Sequence, residues 1–157
     1  MELLDLKKQA LFNYLQENDY QEVTLEDITE GYTESNFEVF KKEYNVFTEE
    51  EREEKVTEYI KDSLWAFNTD FILSHVNFGR NYTDKAVKAF QKMQEELCED
   101  ANDLVLAMIK NLGNFVNDAV KADGYGHFLS GYDGNENESS IINENDEIEW
   151  LYIYRQN

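Results

Sequence analysis

Apolar residues recur at helical intervals through most of this chain and give way to short aromatic and β-branched runs in two places. Leu3, Leu4, Leu6, Ala10, Leu11, Tyr14 and Leu15 have the three-to-four-residue spacing of an amphipathic helix. Val56, Tyr59, Ile60, Leu64 and Phe67 form a second stripe, which predicts a helix from Glu49 to about Phe67. Thr48 caps that helix, Glu51 closes a capping box, and the acids of the first turn oppose the positive end of the helix dipole. Asn68-Thr-Asp restarts the pattern, carrying Phe71, Ile72 and Val76 as far as Asn77, and Gly79-Arg-Asn-Tyr breaks it. Thr83-Asp opens another helix with Val87, Phe90, Met93 and Leu97 on one side. Ala101, Leu104, Val105, Met108, Ile109 and Leu112 continue the apolar face across a bend near Asp100. Gly113-Asn interrupts, and Phe115, Val116, Ala119 and Val120 belong to a last short helix stopped at Gly124.

The two other regions read differently. Phe37-Glu-Val-Phe and Tyr44-Asn-Val-Phe flank Lys41-Lys-Glu, two short runs around a charged turn, which predicts a hairpin. A helix over Ser35–Tyr44 is the competing reading. Just before it, Thr24-Leu-Glu-Asp offers a capping box for a helical turn, with extended backbone from Glu22 as the alternative. Near the end, Phe128-Leu-Ser and Trp150-Leu-Tyr-Ile-Tyr read as strands, and residues 134–147 as a polar connection with a mobile tip. A two-stranded hairpin is marginal alone. Pairing the C-terminal strands with the 37–47 hairpin predicts a small antiparallel sheet covered by helices. That is an α+β fold, in a single domain over residues 1–157.

Composition narrows the class. Aromatics make up 14% of the chain, far too many for a disordered acidic tail. Cys98 is the one cysteine, which rules out an intramolecular disulfide and a cysteine-based zinc site. No apolar run approaches the roughly 20 residues of a membrane-spanning helix. The opening Met1-Glu-Leu-Leu-Asp-Leu lacks a signal peptide's charge and apolar core, so the expected working place is the cytoplasm.

The net charge is −20 and it is uneven: residues 1–60 carry 17 acids against 6 bases, residues 61–127 carry 10 against 7, and residues 128–157 carry 7 against 1. Direct phosphate binding needs a basic footprint, which is missing, and an anionic membrane is repelled for the same reason. A basic protein surface is the partner such a chain attracts. Solubility alone is the bland explanation of the same charge.

The segment Ala122-Asp-Gly-Tyr-Gly-His-Phe-Leu-Ser-Gly-Tyr-Asp-Gly-Asn-Glu holds four of the seven glycines, interleaved with aromatics, a histidine and two aspartates. It marks a constrained site or a tightly built turn. Together with Phe37-Glu-Val, Glu43-Tyr-Asn-Val-Phe-Thr-Glu-Glu-Glu, Tyr59-Ile-Lys-Asp-Ser-Leu-Trp-Ala-Phe, Cys98-Glu-Asp-Ala-Asn and Tyr152-Ile-Tyr-Arg-Gln-Asn, it resembles a widespread group of small phage-encoded proteins. The likeness covers most of the chain from about residue 37. It implies a phage or prophage origin and the host cytoplasm, with no agreed activity or ligand. Tyr125 departs from the group, which more usually carries arginine there, and any anion binding at that position is in doubt.

Chemistry on the Gly-rich segment divides three ways. His127, Ser130 and Asp133 are the residue types of a hydrolytic set, but a strand puts positions 127 and 130 on opposite faces, and no Gly-x-Ser-x-Gly elbow is present. Asp123, His127, Asp133, Glu136 and Glu138 are donors suited to a divalent ion, in a spacing that is not an EF-hand. The structural reading has Asp123 and Asp133 supporting turns, His127 hydrogen-bonded inside a packed end, and Arg155, beside Tyr154, pairing with Asp123 or Asp133 to lock the last strand. His75 reads as a satisfied core residue, and Trp65 and Trp150 as core anchors.

The expected function is a non-catalytic phage-type inhibitor of a host nucleic-acid-handling defence protein, an anti-CRISPR or anti-restriction factor. No metal or cofactor is expected, and the partner is a basic host protein rather than nucleic acid or membrane. The residues expected to meet it are Glu26, Asp27, Glu30, Glu34, Glu49, Glu50, Glu51, Glu53 and Glu54, imitating phosphates. The alternatives are a small metal-dependent hydrolase or nucleotide-binding enzyme using residues 122–138, and a phage accessory or assembly protein.

Overall fold

The computed structural model describes residues 2–18, 20, 22–76 and 82–157. The expected end of a helix at Asn77 and the break at residues 79–81 lie outside these. The chain divides into two compact units, residues 1–55 with 124–157, and residues 56–123.

The first unit is built on a five-stranded antiparallel sheet in the order β1-β2-β3-β5-β4. The strands are β1 (Thr29–Glu30), β2 (Asn36–Val39), β3 (Lys42–Phe47), β4 (Asn137–Ile142) and β5 (Ile148–Arg155). The hairpin expected from residues 37–47 is β2–β3, with Phe37 opposite Tyr44. β5 adds to it through β3, with Val46 opposite Ile153, so the fold is α+β as the residue pattern implied. Alternation along the strands turns Phe37, Val39, Tyr44, Val46, Ile141, Leu151 and Ile153 to one face. There they pack with Leu6, Ala10, Leu11 and Leu15 of α1 (Leu3–Glu17). Leu11, Phe37, Val46, Leu151 and Ile153 are fully buried, which identifies the core of this unit.

Three expectations fail here, each for a local reason. Residues 137–142, expected to lie within a polar connection over 134–147, form strand β4; Ile141 anchors it in the core while the sheet's edge position tolerates its Asn, Glu and Ser. Phe128-Leu-Ser is not a strand: Tyr125–Leu129 forms a short helix, α7, which buries Phe128. Trp150 is no core anchor. Alternation puts Leu151 and Ile153 inside and leaves Trp150 on the other face, 51% exposed.

α2 (Glu49–Asp62) begins where the sequence placed it. The Thr48 amide donates to Glu51 Oε2 at 2.9 Å, and the Glu51 amide donates to Thr48 Oγ1 at 3.2 Å. The Thr24 box also closes, with the Thr24 amide 2.8 Å from Asp27 Oδ2 at the head of a 3-10 turn.

The second unit contains α3 (Thr69–Ser74), α4 (Asp84–Leu97), α5 (Asn102–Met108) and α6 (Leu112–Asp123). Asn68 caps α3 by accepting from the Asp70 and Phe71 amides. The bend expected near Asp100 is a 3-10 turn over Cys98–Ala101, entered through a left-handed Cys98 at φ 48°. Gly113 lies inside the first turn of α6 rather than breaking it. Buried Gln94 stitches the unit together by accepting from Thr69 Oγ1 and donating to the Trp65 and Phe67 carbonyls at 2.8 and 2.9 Å. No helix among the described residues is long and apolar enough to cross a membrane.

Candidate functional site

The Gly-rich segment is a clasp on the end of β5. Ser130 Oγ lies 2.9 Å from both Asp133 Oδ1 and the Arg155 carbonyl oxygen, which also accepts from the Tyr132 amide. Gln156 donates from its side chain to the Leu129 carbonyl and from its amide to the Glu43 carbonyl. Asn157 Oδ1 accepts from the Glu43 amide at 2.6 Å, and its side-chain nitrogen donates to the Lys41 carbonyl. Gly126 is required by close approach, since a Cβ there would stand 2.2 Å from the Gly134 carbonyl oxygen. Gly124 ends α6 at φ 82°, a conformation in which other residues are strained.

Asp133 supports the turn, as expected, accepting from the Asn135 amide at 2.9 Å. Burial works to raise its pKa, but the Asn135 amide and the Ser130 hydroxyl outweigh it and leave the carboxyl below its ordinary value. Arg155 departs from its expected pairing with an aspartate. Its guanidinium stacks on the Tyr132 ring at 3.8 Å and Nε donates to the Asn157 carbonyl. His127 is exposed on α7, its ring edge-on to Phe128 rather than hydrogen-bonded inside a packed end. The face argument against a hydrolytic set therefore loses its basis. Ser130 is instead held by Asp133 and the Arg155 carbonyl. Asp123, the last residue of α6, is exposed. Among the described residues no group of three or more His, Cys, Asp or Glu is arranged to hold a metal ion.

A second feature, absent from the residue pattern, lies above the clasp. Arg52, in the acidic start of α2, is only 8% exposed. Its guanidinium is sandwiched between Tyr125 at 4.0 Å and Tyr152 at 3.6 Å, and Nη1 reaches Glu136 Oε1 at 3.2 Å. The Tyr154 hydroxyl donates to the other Glu136 oxygen, and the Tyr125 hydroxyl donates to Glu53. Burial, then the Glu53 carboxylate, pushes Tyr125 up to about 12. Tyr154 is raised further, by burial first and then by Glu136. Both phenols are thus held neutral as donors, unsuited to act as bases or nucleophiles at neutral pH. For Arg52 itself burial opposes the charge, but Glu136 and the tyrosines prevail and raise its pKa. The group is a tie between α2, α7, the connection before β4, and β5. Tyr154, expected as structural or ligand-binding, belongs to it and is fully buried.

The nine acids expected to meet a partner divide by environment. Glu26, Glu30, Glu34, Glu49, Glu50 and Glu54 are exposed. Asp27 closes its capping box and is lowered by that hydrogen bonding to Thr24. Glu51 serves its own box and holds buried Lys7, whose Nζ lies 2.7 Å from Oε1. Glu53 is taken up by Tyr125. In addition Glu38 and Glu43 face each other directly across β2 and β3, a like-charge pairing that costs stability.

The charge itself segregates. Residues 1–55 and 124–157 hold 23 of the 34 acids and 7 of the 14 bases, net −16, whereas residues 56–123 hold 11 and 7, net −4. Two of the seven bases in the first unit, Lys7 and Arg52, are buried against Glu51 and Glu136. In the second unit an open groove of about 920 Å³ is lined by His75, Lys110, Asn114 and Asp118 among others. His75 packs on Phe71 and Phe115 and sits 3.2 Å from Asp118.

No family model matches the chain, and no curated protein or solved structure matches it either.

Proposed function

We propose that this is a non-catalytic inhibitor whose acidic first unit occupies the nucleic-acid groove of a basic host defence protein, a restriction or CRISPR nuclease. The observation that carries the reading is the segregation of charge, −16 on a unit of 89 residues whose two buried cations are already matched by carboxylates inside. A solubility role needs no such concentration. Duplex DNA presents one charge per roughly 1.7 Å of its axis, and a protein groove evolved for it attracts any dense, rigid array of carboxylates. The Glu38–Glu43 pairing points the same way, since an acid pair that weakens its own sheet is explained by a cation arriving from outside. The likeness to phage-encoded proteins supplies the setting, the host cytoplasm. The Gly-rich end is then a structural clasp that fixes the sheet carrying the charge.

Displacement of fluorescent duplex DNA from purified restriction and CRISPR nucleases tests this. The chain is expected to release DNA from at least one of them, and the effect weakens as salt rises from about 0.05 to 0.3 M. Failure to displace DNA from any at the lowest salt, with the protein folded, contradicts the reading.

A further inference from the structure

The β4–β5 hairpin leaves an apolar patch uncovered. Its register sets Ile142 opposite Ile148 and Ser140 opposite Trp150. Directly opposed residues, and residues two apart on a strand, share a face, so Ile142, Ile148 and Trp150 stand together on the face turned away from α1. They are 65%, 64% and 51% exposed. Further along that face Phe47 and Tyr154 are buried, so the exposure is confined to the hairpin's end. Single exposed apolar side chains are ordinary, but two isoleucines and a tryptophan side by side have the composition of an interface centre.

The charge around the patch selects the occupant. The hairpin, residues 137–155, carries Glu138, Glu144, Asp146, Glu147 and Glu149 against the single base Arg155, which is stacked on Tyr132. A second copy would set five carboxylates against five, and an anionic lipid surface is repelled as well. An apolar centre inside an acidic rim fits a cationic protein surface that presents aliphatic or aromatic side chains among lysines and arginines.

We propose that Ile142, Ile148 and Trp150 are the apolar anchor by which this chain grips such a basic protein partner. The proposal rests on the reading of the acidic unit given above and assigns the contact that follows electrostatic encounter. Long-range charge speeds arrival, and a desolvated aromatic anchor slows departure.

Two helical peptides of equal length and charge, one alternating lysine and leucine faces and one with serine in place of leucine, are titrated at low salt. The protein carries Trp65→Phe so that Trp150 alone emits, and calorimetry on the unaltered chain runs in parallel. The leucine peptide is expected to bind at least about tenfold tighter and to move Trp150 emission to shorter wavelength. Ile142→Ser with Ile148→Ser, at exposed positions where the fold loses little, is expected to erase that advantage. Equal affinity for the two peptides, or an advantage untouched by the double substitution, overturns the anchor and leaves the charge-based reading standing. Binding of neither peptide overturns both. A dimer at high salt that dissociates on the double substitution gives the patch to a second copy and overturns the anchor.

Discussion

Arg52 is the residue on which the C-terminal architecture turns, because one guanidinium meets a ring of α7, a ring of β5 and the Glu136 carboxylate just before β4. Removing it leaves Glu136 without its cation and Tyr125 and Tyr152 without the group between them. Arg52→Ala is expected to cost about 2–4 kcal/mol, and Arg52→Lys to recover only part of this because an ammonium cannot stack on both rings. Urea unfolding measures it, and a loss below about 0.5 kcal/mol contradicts the role. Tyr125 yields a pH prediction. Its folded pKa of about 12 lies above the ordinary value of 10.0, so its contribution is complete below pH 10 and is lost as pH rises toward 12. Tyr125→Phe should flatten the fall of the urea midpoint between pH 10 and 12, and an unchanged fall would show that the hydroxyl is not so held. Arg52 was not legible in the residue pattern. Arg52 hides in a run of glutamates that reads as a solvated helix face. Lys7 was legible in principle, lying between Leu3 and Leu11 on the apolar stripe of α1 where a charge requires a buried partner.

Among the elements, the β2–β3 hairpin turns through Phe40 and Lys41 at φ 49° and 66°. A two-residue turn with both positions left-handed favours Asn-Gly, and neither Phe nor Lys sits there without strain. Phe40 packs near Tyr20, with ring centroids 6.3 Å apart, and Lys42 lies over the same ring at 4.4 Å. Phe40→Asn with Lys41→Gly is expected to stabilise the chain by about 1 kcal/mol if relief of the turn outweighs the lost ring contact. A fall in the thermal midpoint would show that the contact with Tyr20 dominates. The hairpin and its pairing with β5 were readable because apolar residues alternate on both. β4 was not, since Asn137-Glu-Ser-Ser resembles a loop and Ile141 is the one apolar residue the strand turns inward. α7 was missed because its five residues are too few to show a helical period and its glycines suggest a turn.

At the scale of the whole chain, the two units differ more in charge than in size, −16 against −4. The sequence displayed the acidity and its concentration at both ends. The expected pairing of the 37–47 hairpin with the C-terminal strands joins those ends through β3 and β5, over a hundred residues apart in the chain; what the sequence did not display was the division into units at residues 55 and 123 that sorts the charge. Placement of charge, rather than its amount, is the central claim. Two triple variants test it with the same change in net charge: Glu49→Lys, Glu50→Lys and Glu54→Lys in the first unit, and Glu95→Lys, Glu96→Lys and Glu99→Lys in the second, all at exposed positions. In displacement of DNA from a nuclease of the proposed target class, the first variant is expected to lose at least about tenfold in potency and the second to stay within about threefold. Equal losses, or a larger loss from the second, would contradict the account.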